Sequence, residues 1–152
     1  MKIRQYTEED IPQLIKMRFD FTAETYEIDP NTYDDFVIEC GAFLEAIVES
    51  TRWHVWVAEV KGVIVSHIFV EIIDTVPRPG RKKSPYGFIT NVYTIPEYRS
   101  QGIGGEILEI INEWSKEIGL TFLTVWPSEA STEFYRRHGF DKSKEMMENH
   151  LK

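Results

Sequence analysis

The run Arg99-Ser100-Gln101-Gly102-Ile103-Gly104-Gly105 carries the strongest chemical signal in the chain. It follows an extended stretch ending at Pro96 and opens a periodic helix. Several unpaired backbone N–H groups at a helix start therefore face one spot, and the glycines let another molecule approach closely. The helix dipole adds partial positive charge there, worth roughly 0.3–1 kcal/mol per exposed anionic group and up to about 2 when partly buried. A phosphate or pyrophosphate is the natural occupant. A Walker-type loop would need Gly-Lys-Ser/Thr at the helix start, and Gly104-Gly105-Glu106 supplies neither the lysine nor the hydroxyl. A dinucleotide fingerprint would need a third glycine where Ile107 stands.

The elements that must hold this turn can be read from periodicity. Residues 2–6 alternate as a half-buried strand, and Thr7 with Asp10 makes a capping-box start for a helix with Ile11, Leu14, Ile15 and Phe19 inside. A second helix starts at Asp29-Pro30 and carries Tyr33, Phe36, Val37, Cys40, Leu44, Ile47 and Val48 on one stripe. Cys40 lies within that stripe, so it reads as core packing rather than a nucleophile. Residues 53–60 and 63–74, joined by Lys61-Gly62, predict an antiparallel hairpin, and the Pro- and Lys/Arg-rich stretch 75–85 predicts a loop. Residues 86–94 return to strand. After the glycine turn, Ile103, Ile107, Leu108, Ile111, Trp114 and Ile118 form the inner face of a helix that Gly119 stops. Residues 120–126 are apolar without alternation, which predicts a strand buried on both faces. Residues 131–138 predict a short helix ended by Gly139-Phe140, and periodicity alone would allow a helix over the tail 142–152.

The turn Arg99-x-x-Gly102-x-Gly104 after a strand, joined further along by Phe134-Tyr135 and Gly139-Phe140, resembles the GNAT superfamily of acyl-CoA-dependent N-acyltransferases. The resemblance implies a single α/β domain over residues 1–152: a mixed central sheet with a splayed parallel strand pair, helices on both faces and a final strand near residues 144–151. It implies acetyl-CoA as co-substrate. Residues 92–94 and 120–126 would be the splayed pair, and backbone groups of Val92, Tyr93 and Thr94 would meet the pantetheine amides. The pyrophosphate would lie on N–H groups of Ser100, Gln101, Gly102, Ile103, Gly104 and Gly105, with Arg99 shaping or charging the turn. Ser131 stands where the family often has a polar cofactor contact; a serine starting a helix, like Ser128, also reads as a cap. Tyr135 takes the place of the tyrosine that protonates the departing thiolate. Homodimers are common among relatives.

Many relatives have a carboxylate on the strand before the glycine turn, but this chain has Phe88, Thr90 and Asn91 there and no Asp or Glu between Asp74 and Glu97. Asn91 can position a water but cannot take a proton. Glu71, His67 and Glu24 are the substitute candidates, and an amine arriving neutral or losing its proton to water would need none. No His/Cys/Asp spacing indicates a metal site.

With 152 residues, 42% hydrophobic and 13% aromatic, the composition suits one core. The lone Cys40 allows no internal disulfide, the start Met1-Lys2-Ile3-Arg4 lacks a signal peptide's apolar stretch, and no long apolar run occurs, so a soluble cytoplasmic protein is expected. The net charge of −8 falls wholly in residues 1–50, which hold 12 acidic and 4 basic side chains. Such a field disfavours nucleic acid and favours a cationic acceptor such as a polyamine, an amino sugar, an amino-acid derivative or a protein lysine. Taken with the resemblance, the sequence is expected to encode an N-acetyltransferase acting on a primary amine by direct attack in a ternary complex. The acceptor would enter beside the first two helices and the 77–85 loop. A non-catalytic acyl-CoA-binding or regulatory domain and a generic nucleotide-binding domain are the rivals.

Overall fold

Alternation makes the sheet two-faced. Val55 and Val57 in the strand Trp53–Val60 pack with one layer of helices, while Trp56 and Ala58 pack with the other. A computed structural model describes residues 1–81 and 83–151. Among them the strands β1 (Lys2–Gln5), β2 (Trp53–Val60), β3 (Val63–Ile73), β4 (Tyr86–Thr94) and β5 (Leu123–Val125) lie side by side in that order, antiparallel as far as β4 and parallel between β4 and β5.

Two helices, α1 (Ile11–Thr25) and α2 (Tyr33–Ala46), link β1 to β2 over one face. Their apolar stripes bury Ile11, Leu14, Ile15 and Leu44 against Val55, Val57 and Phe69. The predicted capping box is present: Asp10 accepts a hydrogen bond from the Thr7 N–H at 2.8 Å. The Arg4 guanidinium forks onto the same carboxylate and holds it below its usual range. Asp29 accepts from the Asn31 N–H at 2.9 Å and starts a short turn at Pro30, so α2 proper begins at Tyr33. On the opposite face α3 (Ile103–Glu117) buries Ile107, Leu108 and Ile111 against Val65, Ile68, Val70 and Ile89, and α4 (Thr132–Arg137) adds Tyr135 to this second core.

Two expectations are corrected. The strand expected over residues 120–126 pairs only at Leu123, Thr124 and Val125, each half-buried, while Phe122 and Trp126 are 56% and 66% exposed. It is an edge strand with one partner among the described residues, so the aromatic residues that flank it lie against rings of β4, Phe122 stacked on Tyr86 and Trp126 edge-on to Phe88, instead of filling a sealed core. Residues 142–151 form neither strand nor helix; Met146, Met147 and Leu151 find no core to enter and stay exposed. Lys152, and Lys82 of the basic loop, lie outside the described residues.

The β4–β5 contact rests on Gly87. A Cβ there would stand 2.6 Å from Leu123 Cδ2 and 3.2 Å from both Leu120 Cδ1 and Val70 Cγ1. Gly87→Ala is accordingly expected to cost about 1–3 kcal/mol in chemical denaturation, the usual penalty for overpacking.

Candidate active site

β4 and β5 pair only as far as Ile89 and Val125; β4 then runs on to Thr94 while Trp126-Pro127 turns away. Residues 90–94 consequently have β3 on one side and no strand on the other. This is the splayed parallel pair. A second irregularity lies within it: Asn91 and Val92 together oppose the single Ile68 of β3, and Asn91 has φ 49°. Such a bulge bends the strand and re-aims its side chains. Tyr93 turns its ring into the α1 side, stacked on Phe21 at 5.0 Å, so only its backbone belongs to the free edge. Val92 packs on the α3 side.

The glycine turn sits at the end of this edge. Gly102 caps α3 with φ 81°, a conformation that suits glycine, and its carbonyl accepts the first helical hydrogen bond from the Glu106 N–H at 3.0 Å. The N–H groups of Ile103, Gly104 and Gly105 precede that bond and have no partner within the helix. They open on a cleft of about 600 Å³ that also meets Thr94, Arg99, Ser100, Phe134, Arg137 and His138. Glu106 and Glu109 complete its rim. Gly105 permits the close approach of α4: a Cβ there would lie 2.8 Å from His138 Nε2, and that ring is held by the Phe134 carbonyl at 2.7 Å.

Of the residues singled out from sequence, Thr94, Arg99, Ser100, Gly102, Ile103, Gly104 and Gly105 share this cleft. Val92, Tyr93, Gln101, Ser131 and Tyr135 lie outside its walls. Gln101 donates to the Glu97 carbonyl, and the Ser131 hydroxyl donates to the Ser128 carbonyl at 3.0 Å, closing the turn that starts α4. Arg99 is occupied elsewhere: its guanidinium donates to the Thr94 carbonyl at 2.8 Å and to both Glu24 oxygens at 2.7 and 2.9 Å. Tyr93 donates to the same carboxylate at 3.0 Å, and burial with that contact pushes its hydroxyl up to about 12. Arg99 thus shapes the turn by tying it to the last turn of α1. Tyr135 packs between Phe134 and Phe140, and burial pushes its hydroxyl up to about 12, so it stays protonated at neutral pH. Arg137 and His138 were not anticipated, although they stand between Tyr135 and Gly139 of the C-terminal motif.

None of the candidate bases is free. Glu24 is held by Arg99 and Tyr93, and Glu71 by Arg52. His67 is fully buried, with Nδ1 donating to the Asn91 carbonyl at 2.8 Å and Nε2 unpartnered. Desolvation lowers it to about 4. Because the folded value lies below the ordinary one, His67 contributes stability above about pH 6.5 that is lost progressively as pH falls toward 4. Between pH 7 and pH 5 the wild type should lose about 2 kcal/mol more than His67→Gln in urea denaturation.

A second cavity, of about 180 Å³, lies on the other face between α1, α2 and the sheet. Thr90 and Asn91 form its floor, Phe43, Trp53 and Phe69 its apolar walls, and Arg18 its one charged side chain. Cys40 also borders it, and burial pushes its thiol up, in keeping with packing. Arg18 went unremarked in the sequence, though the signal was there: it stands four residues after Leu14 and three after Ile15, on the apolar stripe. Among the described residues no three His, Cys, Asp or Glu side chains come together as metal ligands, and no helix is long and apolar enough to cross a membrane.

The Acetyltransferase (GNAT) family pattern matches residues 12–140. A predicted acetyltransferase from Clostridium acetobutylicum, solved with acetyl-CoA, shares the fold at TM-score 0.79 and 23% identity over 99% of this chain and 96% of that one. Glucosamine-6-phosphate N-acetyltransferase from Arabidopsis thaliana does so at 0.76 and 19%, over 99% and 98%. An aminoglycoside acetyltransferase from an uncultured soil metagenomic sample, in complex with sisomicin, does so at 0.72 and 17%, over 99% and 95%. No curated protein matches the chain by sequence.

Proposed function

Since the chain belongs to the GNAT family of acetyltransferases, we propose that it moves an acetyl group from acetyl-CoA to a primary amine by direct attack within a ternary complex. The observation that carries this reading is the continuity of two features: three partnerless N–H groups at the start of α3 and the unpaired edge of β4 that leads to them. The first suits a pyrophosphate and the second an amide-bearing arm, which is the chemistry of coenzyme A. Acetyl-CoA, when bound, supplies the activated acetyl carbon at which the C–N bond forms as the C–S bond breaks.

The residues' parts follow. The N–H groups of Ser100, Gly102, Ile103, Gly104 and Gly105 would hold the pyrophosphate, with Arg137 and His138 at the same cleft. Backbone groups of Val92, Tyr93 and Thr94 pair the pantetheine amides, and an N–H of this edge stabilises the developing oxyanion. Ser131 serves chiefly as a cap. Tyr135 gives its proton to the departing thiolate. With Glu24 and Glu71 in ion pairs and His67 sealed, the amine loses its proton through water, which Asn91 can help to position. No cysteine is placed for a covalent intermediate, because Cys40 lies among apolar side chains. The acidic excess of residues 1–50 favours the approach of an ammonium group. The chain works as one cytoplasmic domain, alone or as a homodimer.

Initial rates test the ternary complex: intersecting patterns in acetyl-CoA and amine are expected, and parallel lines would overturn direct attack. Preference for ATP or NAD over acetyl-CoA in a thermal-shift series would instead support a generic nucleotide-binding domain.

A further inference from the structure

We infer that the cavity between α1, α2 and β4 receives a compact amino acid, whose carboxylate is gripped by Arg18 while its amine faces the free edge of β4. The inference rests on the acetyl-transfer reading above and narrows its acceptor.

The charge of the cavity is the first reason. In a segment holding 12 acidic and 4 basic side chains, a basic residue has no shortage of partners. Arg4 is indeed paired with Asp10 and Lys16 with Asp20, yet Arg18 enters no ion pair among the described residues. Its recorded polar contact is one N–H donated to Asn91 Oδ1 at 3.1 Å, with Phe21 5.8 Å beneath the guanidinium. Most of its five donors are left for a planar anion, and a carboxylate matches that fork.

Position is the second reason. The Asn91 contact holds the guanidinium against the β4 bulge, where the strand has already lost β5 as a partner. Thr94, at the cofactor cleft, is three residues further on, about 10 Å along a strand. An amine one or two carbons from a carboxylate at Arg18 therefore points at the free edge. Size is the third: about 180 Å³ holds roughly six waters at about 30 Å³ each, and Phe43, Trp53 and Phe69 offer an apolar wall. That wall suits an apolar side chain on a small amino acid. The acidic excess of residues 1–50 and the exposed cation at the mouth of the cavity are then complementary to the two ends of one zwitterion.

The test compares kcat/KM for leucine, methionine and phenylalanine with their amides and with the decarboxylated amines, beside O-phosphoethanolamine, in the wild type and in Arg18→Met. The wild type should prefer the acids by at least about tenfold, and Arg18→Met should lower the acids by about 10–100-fold, mainly through KM, collapsing the acid-to-amide ratio toward one. Arg18→Lys should restore part of the preference. Calorimetric titration of the amino acids and amides into coenzyme A-loaded protein gives the same comparison without turnover. Equal use or binding of acids and amides, binding of none of them, or a preference for the aminophosphate would overturn the inference. Failure of the wild type to bind acetyl-CoA would instead overturn the underlying acetyl-transfer reading.

Discussion

Gly104→Glu should lower acetyl-CoA affinity by about 100-fold or more while leaving the protein as stable as before, or more so. The two halves of that expectation have separate causes. A Cβ at Gly104 meets only ordinary contacts, Phe134 Cζ at 3.6 Å and Thr94 Oγ1 at 3.9 Å, so the backbone need not move. Glycine within a helix costs roughly 1 kcal/mol relative to better formers, and a carboxylate in the first turn of α3 interacts favourably with the dipole. The same carboxylate, however, projects among the N–H groups assigned to the pyrophosphate, where it takes their hydrogen bonds and repels an anion. Calorimetry beside thermal unfolding separates the effects. Gly104→Ala is the control, with a small loss of affinity. A Gly104→Glu protein that binds acetyl-CoA like the wild type would remove the cradle from the account.

The second large effect is expected at Tyr135. Removing its hydroxyl as Tyr135→Phe should lower kcat by about 10², the lower end of general acid catalysis, because a thiolate leaves readily. Acetyl-CoA affinity should hold, since the ring keeps its place between Phe134 and Phe140. Burial that pushes the hydroxyl up to about 12 also predicts that the wild-type rate shows no loss from Tyr135 ionisation below about pH 11. A change in kcat below threefold would assign the residue to packing alone.

Much of the fold was legible because local signals agree with tertiary ones. Residues 86–94 read as a strand and are one, Gly119 follows the end of α3, and Thr7 with Asp10 starts the first helical segment as expected. The cleft was equally accessible, since Gly102 is needed for the left-handed cap of its own turn. What escaped depends on partners distant in the chain. The bulge at Asn91 exists only relative to Ile68, and no pattern within residues 86–94 announces it. The shortness of β5 follows from its place at the sheet edge, which an apolar run of residues cannot reveal. Arg99 could shape or charge the turn as far as the sequence tells, and its hold on Glu24, far away in sequence, appears only in the structure. The absence of a carboxylate on β4 was plain from the sequence, but only the structure shows Glu24, Glu71 and His67 each engaged or sealed. Arg18 was visible as a cation on an apolar stripe, and its meaning appeared only with the cavity.

The central claim is tested most directly by mixing stoichiometric protein and acetyl-CoA with a panel of primary amines, and following free thiol release and the mass of the amine over a single turnover. Release of coenzyme A matched by an N-acetylated amine is the predicted result, with Tyr135→Phe slower. Tight acetyl-CoA binding with no acetylated product from any amine would contradict it and leave a domain that binds the acyl donor without using it.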